Sequence, residues 1–279
     1  MDLGLPGGRI HAYTGGKPFD EALPAVVLIH GAQHDHSVWI LQSRWLAHHG
    51  HAVLAVDLPG HGRSDGPAPA TVEAHAERLA AALEPLANPR WLLAGHSMGS
   101  QIALELARRL PARVAGVALL GAAAPMRVAD SLLAATRSDP AAAMDMINVW
   151  SHAPGPAPFA ARPGNPGPGF NIVWQNLRLM QRIEAANGPG VLPTDFAACN
   201  AYDGAVDAAR TLACPVLFVL GSRDQMTPPK AARSLIDACG RAEIITLEGT
   251  GHAMMAENPD GVRRALAAFA QRVFAGVAA

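Results

Sequence analysis

The chain has 279 residues, with 22 Lys and Arg against 23 Asp and Glu. A formal net charge of -1 supplies no basic field to gather phosphate backbones or anionic lipid, so nucleic acid and membrane surfaces are excluded as expected partners. Half of the residues are hydrophobic and only 5% are aromatic, enough for one large α/β core, or a core with an appended subdomain, built mainly from Ala, Val, Leu and Ile.

Residues 1–8 lack the basic start and continuous apolar run of a secretory signal. No stretch approaches the ~18 uninterrupted apolar residues of a spanning helix, and a cytoplasmic protein is expected. Three cysteines, Cys199, Cys214 and Cys239, are widely spaced without a CxxC pair; they read as buried thiols rather than a disulfide framework or zinc site.

In chain order, short apolar runs bounded by turn residues alternate with stretches in which apolar residues recur every three or four positions. Strands are expected at 25–30, 52–57, 91–95, 114–120, 215–220 and 243–247, and helices at 37–49, 71–86, 98–109, 229–238 and 259–275. This is the pattern of βα units and a mostly parallel sheet. The rhythm breaks between 122 and 211, where some ninety residues separate two strands. The expected organisation is therefore a core domain of 1–121 and 212–279 with a helical cap, or lid, of 122–211. Helices are expected there near 129–137, 139–152 and 171–186. Between them, 153–169 holds six prolines and four glycines and reads equally as a disordered linker or a loop over a pocket. Met144, Met146, Trp150, Trp174, Leu177 and Met180 on the flanking helices are expected to pack against the core domain, with Trp150 and Trp174 as candidate substrate-pocket residues.

Two segments match G-x-S-x-G. Nucleophilic serine chemistry needs a tight strand-to-helix turn, with the helix N-terminus setting N–H groups near a developing oxyanion. Gly95-His96-Ser97-Met98-Gly99 meets that need, because the 91–94 run precedes it and Ile102, Ala103, Leu106 and Leu110 follow at helical spacing. Gly62-Arg63-Ser64-Asp65-Gly66 does not, because Pro59 and two glycines separate it from a strand and Pro67 and Pro69 follow where a helix should begin. Ser97 is the candidate nucleophile, and its bland alternative is a helix cap.

A serine hydroxyl needs a base, usually a histidine held by a carboxylate. His252 follows the 243–247 strand in Gly249-Thr250-Gly251-His252, at the same sheet edge as Ser97. Asp224 opens the loop after the 215–220 strand and is the candidate orienting acid, with an ordinary turn aspartate as its bland reading. The preceding strand offers no carboxylate over 121–128, and Asp130 lies too far along.

The order Ser97, Asp224, His252 resembles the lidded, carboxylesterase-like serine hydrolases of the α/β-hydrolase superfamily. So do His30-Gly31 with Trp39, Asp57-Leu58-Pro59-Gly60-His61-Gly62-Arg63-Ser64, and Gly251-His252 with Glu257-Asn258-Pro259, together spanning about 25 to 275. The resemblance implies an α/β-hydrolase fold: a mostly parallel sheet flanked by helices, with a helical cap inserted after the sixth strand. It also implies an oxyanion hole from the backbone N–H groups of Met98 and Ala32, although a shift of one residue would nominate Gln33. His96 reads as a pocket-wall or packing residue. His30, His34, Asp35 and His36 invite a metal reading, but H-x-H-x-D-H would need histidines where Gly31 and Gln33 stand, and no metal is expected. His48, His49 and His51 fit a helix end.

The expected activity is hydrolysis of a small, hydrophobic carboxylic ester without a cofactor. Lactone opening, C–C bond hydrolysis, acyl transfer and perhydrolysis could use the same residues. A ligand receptor with slow turnover is the reading from a different class; oligomeric state is not legible.

Overall fold

The computed structural model describes residues 1–154 and 172–275. Each of the six apolar runs is a strand of one sheet: β3 (Ala25–Ile29), β4 (Ala52–Val56), β5 (Trp91–His96), β6 (Val114–Leu120), β7 (Val216–Gly221) and β8 (Ala242–Leu247). They pair in parallel in the order β4-β3-β5-β6-β7-β8. An unexpected antiparallel hairpin, β1 (Asp2–Leu5) and β2 (Gly8–Tyr13), turns at Pro6-Gly7 and adds β2 to the free edge of β4.

Burial on both faces explains why the parallel strands read as continuous apolar runs. Along β3, Ala25, Val27 and Ile29 join a cluster with α2 (Val72–Leu83) and α3 (Met98–Arg109). Val26 and Leu28 join the opposite cluster with α1 (Ile40–Ala47) and α11 (Pro259–Ala275). Each fully buried Val, Leu or Ile contributes about 1.5–3 kcal/mol relative to exposure. Thr71 sets the start of α2 by accepting the Ala74 N–H at 3.1 Å, and the helix ends at Leu83, short of the expected 86.

Between β6 and β7 the chain forms α4 (Asp130–Ser138), α5 (Pro140–Ser151), α6 (Ile172–Asn187), α7 (Val191–Ala201) and α8 (Ala205–Arg210) among the described residues. The first three match expectation. In α5, Asp139 caps the Ala142 N–H at 3.0 Å and Pro140 occupies the first turn. The Pro/Gly-rich run lies, from residue 155 onward, outside the described residues. Met144 and Met180 pack with Leu132, Ile147, Leu192 and Phe196 into a cluster of their own, not chiefly against the sheet as expected. Trp174 is 59% exposed.

Among the described residues, α9 (Arg233–Ala238) and α10 (Met254–Glu257) complete the α-helices. Among the described residues, no helix is long and apolar enough to cross a membrane. All three cysteines are free; Cys199 is buried, whereas Cys214 and Cys239 are half-buried, more open than expected.

Candidate active site

Ser97 joins β5 to α3 with φ 54° and ψ -120°, a left-handed conformation that a side chain adopts at a cost. The turn is held by main-chain bonds, Ser97 N–H to the Leu120 carbonyl (2.9 Å) and Ser100 N–H to the Ser97 carbonyl (2.8 Å). The flanking glycines serve close approach rather than unusual φ. A Cβ on Gly95 would lie 2.0 Å from the Gly99 carbonyl oxygen, and one on Gly99 would lie 2.4 Å from that of Ile29. Backbone cannot yield as a side chain can, so Gly95→Ala should destabilise the fold by about 1–3 kcal/mol, measured as a lowered urea midpoint. An unchanged midpoint would contradict this geometry.

Asp224 and His252 are brought together as expected. Asp224 Oδ2 accepts from His252 Nδ1 at 2.8 Å and from the Thr227 hydroxyl at 2.8 Å, while Oδ1 accepts the Thr227 N–H at 2.7 Å. With Nδ1 committed, Nε2 is the basic nitrogen. The loop bearing His252 is anchored on both sides of the ring; the Ala253 N–H, for one, goes to the Ser151 carbonyl at 2.7 Å. Buried Glu257 accepts the Gly251 N–H at 3.2 Å, and the His96 Nε2–H donates to the His252 carbonyl at 2.9 Å. Burial, with the nearby His252 and His34 rings, holds the His96 pKa well below its ordinary value, so a neutral ring protonated on Nε2 fits this contact. His96 thus supports the candidate base as well as lining the pocket.

Ser97 and His252 line one cavity of about 340 Å³, together with Ala32, His34 and His96. Among the described residues no hydrogen bond joins Ser97 Oγ to the imidazole; such contacts commonly tighten only with substrate bound. The backbone N–H groups of Ala32 and Met98 have no hydrogen-bond partner among the described residues. The N–H of Gln33, the alternative donor, is instead given to Asp195 Oδ2 at 2.8 Å.

The far wall comes from the segment between β6 and β7 and includes Leu132, Ile147, Trp150 and Phe196. Among the described residues, no carboxylate lines the cavity. Trp150 is therefore placed as expected, whereas Trp174 lines a neighbouring groove that shares His34, His96 and His252 with the cavity.

Ser64 is held away from chemistry: its hydroxyl donates to the Asp57 carbonyl at 2.6 Å and accepts the His11 N–H at 2.8 Å. Asp130 is exposed at the start of α4. In the suspected metal cluster, His30 bonds the Gly31 carbonyl at 2.8 Å and accepts the Leu58 N–H at 3.0 Å, while His34 bonds the Ala32 carbonyl at 2.6 Å and Asn176 at 2.9 Å. These contacts occupy the ring nitrogens a metal would need. His11, His36 and Asp57 offer ligand atoms within 4.8 Å of one another. The Asp57 oxygens, however, already accept the ring and backbone N–H of His36 (2.7 Å each) and the Arg63 N–H (2.9 Å). His49 and His51 bond the Trp45 and Leu46 carbonyls of the helix end at 2.6 and 3.3 Å.

Thr227 and Glu257 were not singled out as site residues from sequence. Thr227 carried one readable signal: a residue three after a loop aspartate is where an aspartate-capped turn places its N–H.

A serine on a strained strand-to-helix turn, with a carboxylate after β7 and an imidazole after β8 at the same rim, defines an open α/β sheet with a serine-centred site. The chain belongs to the alpha/beta hydrolase family, whose model matches residues 26–265. It is similar to a non-heme chloroperoxidase of Streptomyces lividans, 29% identical over 89% of this chain and 92% of that protein. It is also similar to a pimeloyl-[acyl-carrier protein] methyl ester esterase of Neisseria meningitidis, 26% identical over 85% of this chain and 90% of that one. Among solved structures, an esterase from Exiguobacterium antarcticum aligns with a TM-score of 0.80 at 20% identity, covering 96% of this chain and 97% of its own. The enol-lactonase of Burkholderia xenovorans aligns at 0.79 and 22%, covering 97% and 100%. At these identities the structural likeness speaks for the fold.

Proposed function

We propose that this chain is a serine hydrolase that cleaves small, largely apolar carboxylic esters through an acyl-enzyme on Ser97. The observation that carries the reading is Ser97 at φ 54° facing the same cavity as His252, whose Nδ1 is held 2.8 Å from Asp224. His252 Nε2 takes the hydroxyl proton as Ser97 Oγ attacks the acyl carbon, and the proton passes to the departing alcohol when the C–O bond breaks. Water, deprotonated by the same nitrogen, then releases the acid and restores Ser97. The N–H groups of Ala32 and Met98 receive the tetrahedral oxygen, a contribution of about 3 kcal/mol per donor in such sites. No cofactor enters this chemistry.

Residues 1–121 and 212–279 form the core domain in this reading, and 122–211 the cap. Its Leu132, Ile147 and Phe196 suit an uncharged acyl or alcohol group, and Arg127, which also lines the cavity, gives its guanidinium to the Asn200 carbonyl at 2.9 Å. The name of the methyl ester esterase relative agrees with this class. The chloroperoxidase relative favours one second reading, in which hydrogen peroxide replaces water in the deacylation step.

The test is a rapid acid quench during turnover of p-nitrophenyl butyrate, followed by peptide mass spectrometry. The peptide containing Ser97 should gain one butyryl group, and added peroxide should raise the yield of peracid only under the second reading. Steady turnover with that peptide never acylated would reject the acyl-enzyme.

A further inference from the structure

One buried ion pair takes no part in the proposed chemistry. His61, in the turn after β4, and Asp195, on α7 of the proposed cap, are both wholly inaccessible to solvent, and Nε2 lies 2.8 Å from Oδ2. The other ring nitrogen of His61 faces the Pro59 carbonyl at 3.1 Å, so both nitrogens meet acceptors and both carry protons. Burial opposes charge on either partner, yet the attraction between them outweighs it: His61 is raised above its ordinary pKa and Asp195 is held below. A buried pair of this kind is a weak stabiliser relative to apolar packing, so what it fixes in place matters more than its energy.

That geometry lies at the loop beside the candidate nucleophile. The Asp195 oxygen that binds His61 also accepts the Gln33 N–H at 2.8 Å, and Gln33 has φ 56°. His34 Nδ1 bonds the Ala32 carbonyl at 2.6 Å. These two contacts grip opposite ends of the same peptide unit, the one joining Ala32 to Gln33. Adjacent bonds tie the same loop to α6: Gln33 Nε2 to the Met180 carbonyl (3.2 Å), His34 to Asn176 (2.9 Å) and Arg182 to Asp35 (2.6 Å). Asp195 joins cap, turn and loop through one oxygen.

We infer that Asp195, held by His61, is a positioning residue for catalysis: by fixing the Ala32–Gln33 peptide it aims the Ala32 N–H at the tetrahedral oxygen, so that seating of α7 and completion of the oxyanion hole are one event. This rests on the proposed ester hydrolysis, and the test separates the two. Wild type, Asp195→Ala and Asp195→Asn are compared as full chains, with rates expressed per serine titrated by a fluorophosphonate. Asp195→Ala should lower kcat about 10- to 100-fold with KM within about threefold, less than the loss on deleting a donor outright because the N–H remains but is loosely aimed. Its affinity for a trifluoromethyl ketone, which forms an oxyanion on Ser97, should fall by a similar factor while affinity for the product acid holds. Asp195→Asn keeps an oxygen for the Gln33 N–H and should recover most of kcat.

A kcat for Asp195→Ala within twofold of wild type, or equal losses for ketone and acid, overturns the inference. A second measurement needs no variant: the Gln33 amide must exchange with deuterium as slowly as core amides, and exchange at open-loop rates overturns the inference too. Wild-type hydrolysis that persists in Ser97→Ala would reject the functional reading and this one together. Ser97-dependent hydrolysis indifferent to Asp195 rejects this one alone.

Discussion

Replacing Ser97 by alanine is expected to lower kcat/KM for short p-nitrophenyl esters by about 10⁴- to 10⁶-fold, with the melting temperature held within about 2 °C. The fold should tolerate the change because the hydroxyl makes no hydrogen bond to the described residues, while the bonds that shape the turn run through the Ser97 backbone to Leu120 and Ser100. Alanine meets the same strain at φ 54° as serine does. His252→Ala should fall to the same floor, since nucleophile and base act as a unit. Asp224→Asn should cost less, about 10²- to 10⁴-fold, because the carboxylate orients the ring without exchanging a proton with substrate. Initial rates and thermal melts on the purified variants decide the matter. A Ser97→Ala rate within tenfold of wild type removes the serine from the chemistry.

The parallel strands were legible because burial on both faces leaves little room for polar residues; β3 is Ala-Val-Val-Leu-Ile with every position buried. The β1–β2 hairpin was not, because its strands are short and lack a continuous apolar run; in Gly8–Tyr13 only Ile10 and Ala12 are buried. Helix α7 hid for a different reason. Its sequence includes Pro193 and Asp195, and buried Val191, Leu192, Phe196, Ala198 and Cys199 do not form one apolar stripe, since it packs against both the core and its neighbours in the inserted segment.

Local context also separated the two serine motifs, and the coordinates agree: one serine sits on a strand-to-helix turn, whereas Ser64 is locked to Asp57 and His11. The His61–Asp195 contact had no such signature. Its partners are 134 residues apart, and a pairing of that separation is created by topology, not by any short pattern. The same holds for the choice between Ala32 and Gln33. The resemblance nominated Ala32, with Gln33 one residue along as the alternative, and no short pattern shows that the Gln33 N–H is given to a carboxylate 162 residues away.

His30 and His75 together should cost the fold about 4 kcal/mol of stability between pH 7 and pH 5, a large part of what a domain typically possesses. Burial, reinforced by the neighbouring His61, lowers the His30 pKa to about 3, and burial lowers that of His75 to about 4. In the unfolded chain both titrate near 6.5. Across that interval the unfolded state therefore binds protons that the folded state refuses. Their contribution is complete above pH 6.5 and is lost as pH falls toward their folded values, by about 2 kcal/mol for each by pH 5. His61 acts in the opposite sense. Its raised pKa gives stability that is fully present at low pH and lost as pH rises through the folded value, so it offsets part of that loss. Asp195, shifted below the ordinary carboxylate value, is still ionised at pH 5 and adds nothing to the change. His34 and His96 are lowered by burial too and act in the same direction as His30. His75 is the position to test, because it lies on α2 away from the cavity, is fully buried and makes no well-aligned hydrogen bond from either ring nitrogen. His75→Leu should therefore stabilise the protein, and by about 2 kcal/mol more at pH 5 than at pH 7, since an apolar side chain has no proton to refuse. Urea unfolding of both proteins at the two pH values measures this directly, and parallel losses in wild type and variant would show that His75 is not among the groups responsible.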